Sequence, residues 1–287
     1  MKKALSAIIA ATCFAAPVTT YANDYAGHTA VLTTIEYLTT GADGVAGGIE
    51  VLRKDLGNGQ LVQDFVYDDP RASWRTGPGV HYGIKSGNLS SDANLSDAIG
   101  GMRLAVDTWD DQTCSNMLLV ENNVDATSPG LVQYFFNTGV ITLAFTQADV
   151  TQVGFLDGTE FPYFAQNPNV LGVAFTLTWV DENGNPTDID NNGKSDVAIR
   201  EVYYNDDFEW SDAEDTPTGT IDFPTVAIHE MGHGFSMAHF GVISRKKGEL
   251  TASPRAIMNA IYGGKLREPA GRDVGSHCSN WAQWPNN

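Results

Sequence analysis

The sequence predicts an α+β fold, and three observations carry that prediction. Strand-like runs gather in the middle of the chain and do not alternate one by one with helices. An amphipathic helical pattern precedes most of them, and one further helix follows the last. Beyond about residue 240 neither period holds, and the chain reads as an irregular C-terminal subdomain.

Residues 23–72 are read in two ways, as a short propeptide or as part of the fold. Within them, 33–38 and 49–52 could be short strands or helical turns, separated by the glycine-rich stretch 41–48. From residue 73 the pattern sharpens, and 73–287 forms the main domain. Residues 80–84 read as a strand. Residues 97–109 place Ile99, Met102, Ala105, Val106 and Trp109 at helical spacing, with Asp97 near the start, where a carboxylate suits the free amides. Strands are expected at 117–120, 131–136, 140–145 and 170–180, and the alternation of 197–204 predicts another. A turn-rich acidic stretch, 206–220, leads to the second helix. There Pro224 suits the first turn, where its missing N–H costs nothing, and Asp222 stands just ahead.

Composition narrows the setting. Lys2 and Lys3, an apolar run to Pro17 and Thr20-Tyr21-Ala22 look like a secretory signal over 1–22. Its removal leaves about 265 residues, enough for one large domain or two small ones. Cys13 has no leucine-like residue three positions ahead of it, against a lipoprotein anchor. No later apolar run reaches the ~18 residues a membrane helix needs. Loss of the two lysines takes the formal charge from −18 to −20, which argues against nucleic acid and anionic membranes as partners. The expectation is an exported protein, extracellular or periplasmic, with a monomer as the default state. Cys114 and Cys278 survive processing. An even pair in an oxidising compartment suggests a disulfide, and two separate buried thiols is the other reading.

The chemistry concentrates in one stretch. His229, Glu230 and His233 form an H-E-x-x-H motif, and His239 follows six residues later. Two histidines four apart project from one helix face, so both imidazoles reach one ion. Glu230, beside the first, can hold a metal-bound water and take its proton. The third histidine must come from chain that has turned back. Chance would place H-E-x-x-H in a chain this long on the order of once in a hundred.

A second constellation spaces oxygens at alternate positions: Asp188, Asp190, Asn192, the backbone carbonyl of Lys194, and Asp196, with Gly193 for a tight turn. That is how a calcium loop begins, although Ile199 stands where the helix-flanked form needs glutamate. A structural calcium site and a solvated Asn-Gly turn without an ion both fit.

The long histidine motif, with Met258 nineteen residues past His239, resembles the metzincin metallopeptidases. Ala256-Ile257-Met258-Asn259-Ala260 looks like their Met-turn. The likeness is greatest to bacterial secreted matrixin-like proteases, covers roughly residues 73–287, and rests mainly on 225–262. It implies a twisted mixed β-sheet, with residues 197–205 as the edge strand above the cleft. It also implies Zn2+ on His229, His233 and His239, Glu230 as general base, and Met258 beneath the site. The expected function is a secreted zinc endopeptidase, a hydrolase acting on protein or peptide substrates. Ser236 departs from the motif's glycine, no cysteine between the signal and Cys114 could ligate the zinc, and Ala260 stands where some metzincins have a zinc-binding tyrosine. Tyr262 is two positions too far along and reads as a core or cleft aromatic.

Two other functions fit the same residues. One is an exported metal-stabilised binding protein without turnover, and the other a zinc amidase acting on cell-wall cross-links. Glu230 argues against the first, since a structural zinc gains nothing from an adjacent base. A thermolysin-like ligand set would need Glu249 or Glu268, which the third histidine makes redundant.

Overall fold

The computed structural model describes residues 28–41, 50–246 and 249–285; the expected signal segment lies outside them. The strands and helices in chain order are β1 (Thr29–Thr39), β2 (Glu50–Asp55), β3 (Gln63–Asp64), β4 (His81–Ile84), α1 (Ala98–Asp110) and β5 (Val120–Asn122). Then come α2 (Leu131–Thr138), β6 (Val150–Leu156), α3 (Pro162–Gln166), β7 (Val170–Val180) and β8 (Ser195–Asn205). The chain closes with β9 (Trp210–Ser211), β10 (Ile221–Asp222), α4 (Phe223–Gly234), β11 (Gly241–Lys246), β12 (Glu249–Ser253) and α5 (Arg272–Trp281). The architecture is α+β, as expected.

The main sheet is mixed, in the order β1-β7-β8-β6-β4-β5, with β3 also pairing β8. β7 runs antiparallel to both its neighbours, β1 and β8, whereas β8, β6, β4 and β5 run parallel. Both faces are covered, which is why β7 and β8 read as nearly continuous apolar runs. On one face α1 and α4 pack against Val202 and Tyr204; on the other α2 and α3 pack against Val173, Phe175 and Tyr203. The α1–α4 contact is pinned by Trp109, whose indole N–H donates to Ile228 O at 2.9 Å. Asp97 caps α1 through Gly100 N at 2.7 Å.

Several expectations need correction. Residues 131–136 form α2, not a strand, although their composition favours β structure. The reason lies in β8: Glu201 accepts from Leu131 N and Val132 N at 2.7 and 2.8 Å, and Tyr203 Oη accepts from Gln133 N. Those bonds satisfy the amides a helix start leaves free, and Gly139 at φ 75° closes the other end. Residues 140–145 end in a 3-10 turn, Leu143–Phe145. β6 went unrecognised. The strand over 197–205 is real but interior, flanked by β7 and β6, so it is not the edge above a cleft. β1 holds that edge. The C-terminal region contains β11, β12 and α5 and is less irregular than expected.

Residues 50–72 are woven into the domain. β2 pairs with β11, β3 with β8, and Phe65 stacks on Trp281. Cys114 and Cys278 lie at disulfide distance, with Cα atoms 5.7 Å apart, and so join the end of α1 to α5.

Candidate metal centre

Helix α4 begins at Asp222, whose carboxylate accepts from Thr225 N at 3.1 Å, and every residue of the helix is buried. His229 and His233 lie one turn apart on it. The helix then ends in a Schellman closure: Met237 N donates to Gly232 O at 2.9 Å, and Ser236 N to His233 O at 3.1 Å. This reversal returns His239 to the other two. The three Nε2 atoms stand 3.1, 3.1 and 3.3 Å apart.

The hydrogen bonds of the other ring nitrogens fix how these rings are protonated. His229 Nδ1 meets Ile257 O at 2.6 Å, His233 Nδ1 meets Met237 O at 2.8 Å, and His239 Nδ1 meets Glu36 Oε2 at 2.9 Å. Carbonyls and carboxylates only accept, so each Nδ1 carries a proton and donates. In a neutral imidazole each Nε2 then offers a lone pair. Burial, reinforced by His239, holds His229 down to about 3; burial, with Arg53 nearby, holds His239 down to about 3. Burial likewise puts His233 well below the ordinary histidine range. Three lone pairs facing one another have no hydrogen bonds to offer each other. A tetrahedral ion with bonds of about 2.0–2.1 Å would space its ligands about 3.3–3.4 Å apart, close to the separations observed. The donor set fits such an ion, and each ring already has an acceptor on its Nδ1 to hold it in place.

Glu230 lies beside the triad, fully buried. Its Oε1 accepts from Leu38 N at 3.1 Å, whereas Oε2 has no partner among the described residues. Burial raises its carboxyl well above the usual range. Gly172 of β7 makes room for it, since a Cβ there would stand 2.7 Å from Glu230 Cγ. Met258 is wholly buried beneath α4, and a Cβ on Gly232 would collide with its sulfur.

Three supporting residues were missed by sequence reasoning. Asp273 of α5 accepts from Ile257 N at 3.0 Å and Met258 N at 3.1 Å, and so fixes the turn whose carbonyl orients His229. Glu36 orients His239. Arg200 of β8, fully buried, donates to Gly234 O at 3.2 Å and Ser236 Oγ at 2.7 Å. Burial lowers this guanidinium to about 9, so it stays charged at neutral pH. Nothing in the local sequence signals these partners, which lie far along the chain.

Arg200 also explains the departure from the motif's glycine. Ser236 adopts φ 68°, the left-handed region that glycine favours, and its hydroxyl gains the Arg200 bond in exchange. Ser236→Ala keeps the strain and orphans a buried charged donor, so it should cost about 1–3 kcal/mol. Ser236→Gly relieves the strain and should cost less. Urea denaturation of the two variants checks the order, and an alanine variant as stable as glycine would refute it. Tyr262 has a structural part as well, its hydroxyl accepting from Asp222 N at 3.0 Å.

The acidic loop brings Asp188, Asp190 and Asp196 together, with one oxygen from each within 4.8 Å of the others. Asn192 points its amide at Asp64 and Asp190, and Lys194 sets its ammonium 3.3 Å from Asp64. Asp196 is turned inward to Arg71 at 2.9 Å and Thr187 at 2.6 Å. Burial pushes Asp190 up to about 6, with Asp64 and Asp196 adding repulsion. The expected ligands are thus gathered, but two cationic side chains share the same acidic neighbourhood.

No protein-family model matches the chain, and no curated protein matches it at a significant level.

Proposed function

We propose that this chain is an exported zinc-dependent endopeptidase of metzincin type, with His229, His233 and His239 holding the metal and Glu230 as general base. One observation carries the reading: three neutral imidazoles converge through Nε2 with a buried carboxylate beside them, one of whose oxygens has no partner among the described residues. Zinc bound there would supply a Lewis acid and an acidified water. Glu230 would take a proton from that water and return it to the departing amine. The acceptors on Nδ1, two backbone carbonyls and the Glu36 carboxylate, hold the rings in the ligating tautomer, and Met258 with Asp273 keeps the floor of the site rigid. A peptide would lie along β7, whose outer edge β1 takes in this structure.

The test is hydrolysis of casein by the purified protein, with and without a zinc chelator and beside Glu230→Ala. Activity lost in both controls supports the reading. Wild type that binds zinc and cuts nothing sinks it in favour of the binding protein, and action on purified cell wall alone favours the amidase.

For the acidic loop we propose a structural calcium site on Asp188, Asp190, Asn192, the Lys194 carbonyl and Asp196. A cation would relieve the repulsion that raises Asp190. At a hundred times its Kd, calcium should stabilise the fold by about 2.7 kcal/mol, a Tm rise of roughly 5–10 °C. Asp190→Asn should abolish that rise. Scanning calorimetry with and without calcium decides it, and an unchanged wild-type Tm leaves a turn held without an ion by Arg71, Thr187, Asn192 and Lys194.

A further inference from the structure

We propose that β1 is the chain's own first substrate, lying across the site as a bound peptide would, with Tyr37–Leu38 as the bond presented for hydrolysis. The inference rests on the endopeptidase reading and adds to it a particular bond and a substrate class.

The contacts are arranged around that one peptide unit. β1 pairs antiparallel with β7, and Leu38 stands opposite Gly172. From the other side of the strand, Leu38 N–H donates to Glu230 Oε1 at 3.1 Å. Two residues before Leu38 on the same strand, Glu36 Oε2 accepts from His239 Nδ1 at 2.9 Å. One residue further on, Thr39 N donates to Ala260 O at 3.3 Å, and Thr39 O accepts from Tyr262 N at 2.9 Å. The strand is therefore clamped between β7 and the segment that follows Met258. The Tyr37–Leu38 unit has its nitrogen on the Glu230 carboxylate, and Glu36, the residue before Tyr37, holds the His239 ring. The Leu38 side chain is 2 % exposed and lines a pocket with Thr225, Ile257, Ile261, Tyr262 and Leu266. A permanent structural strand would have no need to place an amide on the general base.

In the reaction, the water oxygen bonds to the Tyr37 carbonyl carbon and the C–N bond to Leu38 breaks. Both water protons end on the Leu38 nitrogen, one of them carried by Glu230, leaving a carboxylate and an ammonium group. The fragment through Tyr37 leaves β7 and takes Glu36 with it, so His239 Nδ1 then donates to solvent water in its place. Residues 50–72 stay, because β2, β3 and Phe65 are anchored elsewhere in the domain. The substrate class implied is an extended peptide with a leucine-sized aliphatic residue directly after the cut bond.

The full chain, prepared free of metal and then given zinc, tests this by intact mass, N-terminal sequencing and amide hydrogen exchange. We expect a new N-terminus at Leu38, formed at a rate independent of protein concentration and absent in Glu230→Ala. Exchange should show residues 170–180 protected in the metal-free chain and in Glu230→Ala, and exposed along the outer edge of β7 once wild type is cut. Glu230→Ala protected there has folded, so its failure to cut is chemical. Casein hydrolysis with the N-terminus intact, a cut at another bond, or a rate that rises with protein concentration would each overturn the inference while the endopeptidase reading stands. Zinc-loaded protein that cuts neither itself nor casein overturns that reading, and this inference with it.

Discussion

Replacing Glu230 by alanine is expected to lower kcat/KM for a peptide substrate by about 10²–10⁴, while zinc content stays that of wild type. The two halves of that expectation come from separate parts of the site. The ion would be held by three imidazoles, each fixed by its own Nδ1 acceptor, and none of those acceptors is Glu230. The carboxylate would contribute proton transfer, which at this magnitude is about 3–5 kcal/mol of transition-state stabilisation. Steady-state kinetics and metal analysis on one preparation check both halves. Loss of zinc along with activity would make Glu230 a support of the metal, and undiminished turnover would remove it from the chemistry.

Arg75→Ala is expected to produce the largest loss of stability. Arg75 Nε lies 2.8 Å from Asp149 Oδ2, with both side chains almost wholly buried. Asp149 also accepts from Trp74 Nε1 at 2.9 Å and from His81 N at 2.7 Å, tying residues 74–75 and β4 to the start of β6. Removing the guanidinium leaves a carboxylate in the core without its counter-charge, at a cost of about 3–5 kcal/mol. For a domain of this size that is a Tm loss of roughly 6–20 °C. Arg75→Met combined with Asp149→Asn removes both charges and should recover part of the loss. Calorimetry on the single and double variants measures this, and a single variant within 1 °C of wild type would show that the pair contributes nothing. Neither side chain touches His229, His233 or His239, so zinc content should not change.

The two predictions differ in how far the sequence could have led to them. Glu230 was legible because the motif is local: helical geometry sets i and i+4 on one face whatever the rest of the chain does. The same holds for α1 after Asp97 and for the apolar runs that became β7 and β8. Arg75 and Asp149 carry no mark in the sequence, because 74 residues separate them and only the sheet brings them together. Ser236 read as a flaw in the motif until Arg200 was found beneath it, and a side chain from another strand cannot be inferred from the turn it supports.

Two errors have related physical causes. The segment 131–136 has the composition of a strand, and the carboxylate and hydroxyl of Glu201 and Tyr203 make it a helix by satisfying its first amides. Residues 197–205 alternate as a strand should, but an edge strand and a covered one differ in their neighbours and not in their own pattern. The role of edge fell to β1, a segment with no motif to mark it.

The Cys114–Cys278 pairing stayed one of two readings and Met258 entered by resemblance, but by itself the sequence determined the α+β class, the helix carrying His229 and His233, and the return of His239. Each of these is written in short-range spacing or in a small count of one residue type. Only the tertiary structure decided that Glu36, Arg200 and Asp273 hold the site in shape, and that Leu38 lies on Glu230. Those contacts join residues up to 203 positions apart, the span from Glu36 to His239. Burial makes them matter, because a polar group removed from water must find its partner wherever the fold brings one, at any distance along the chain.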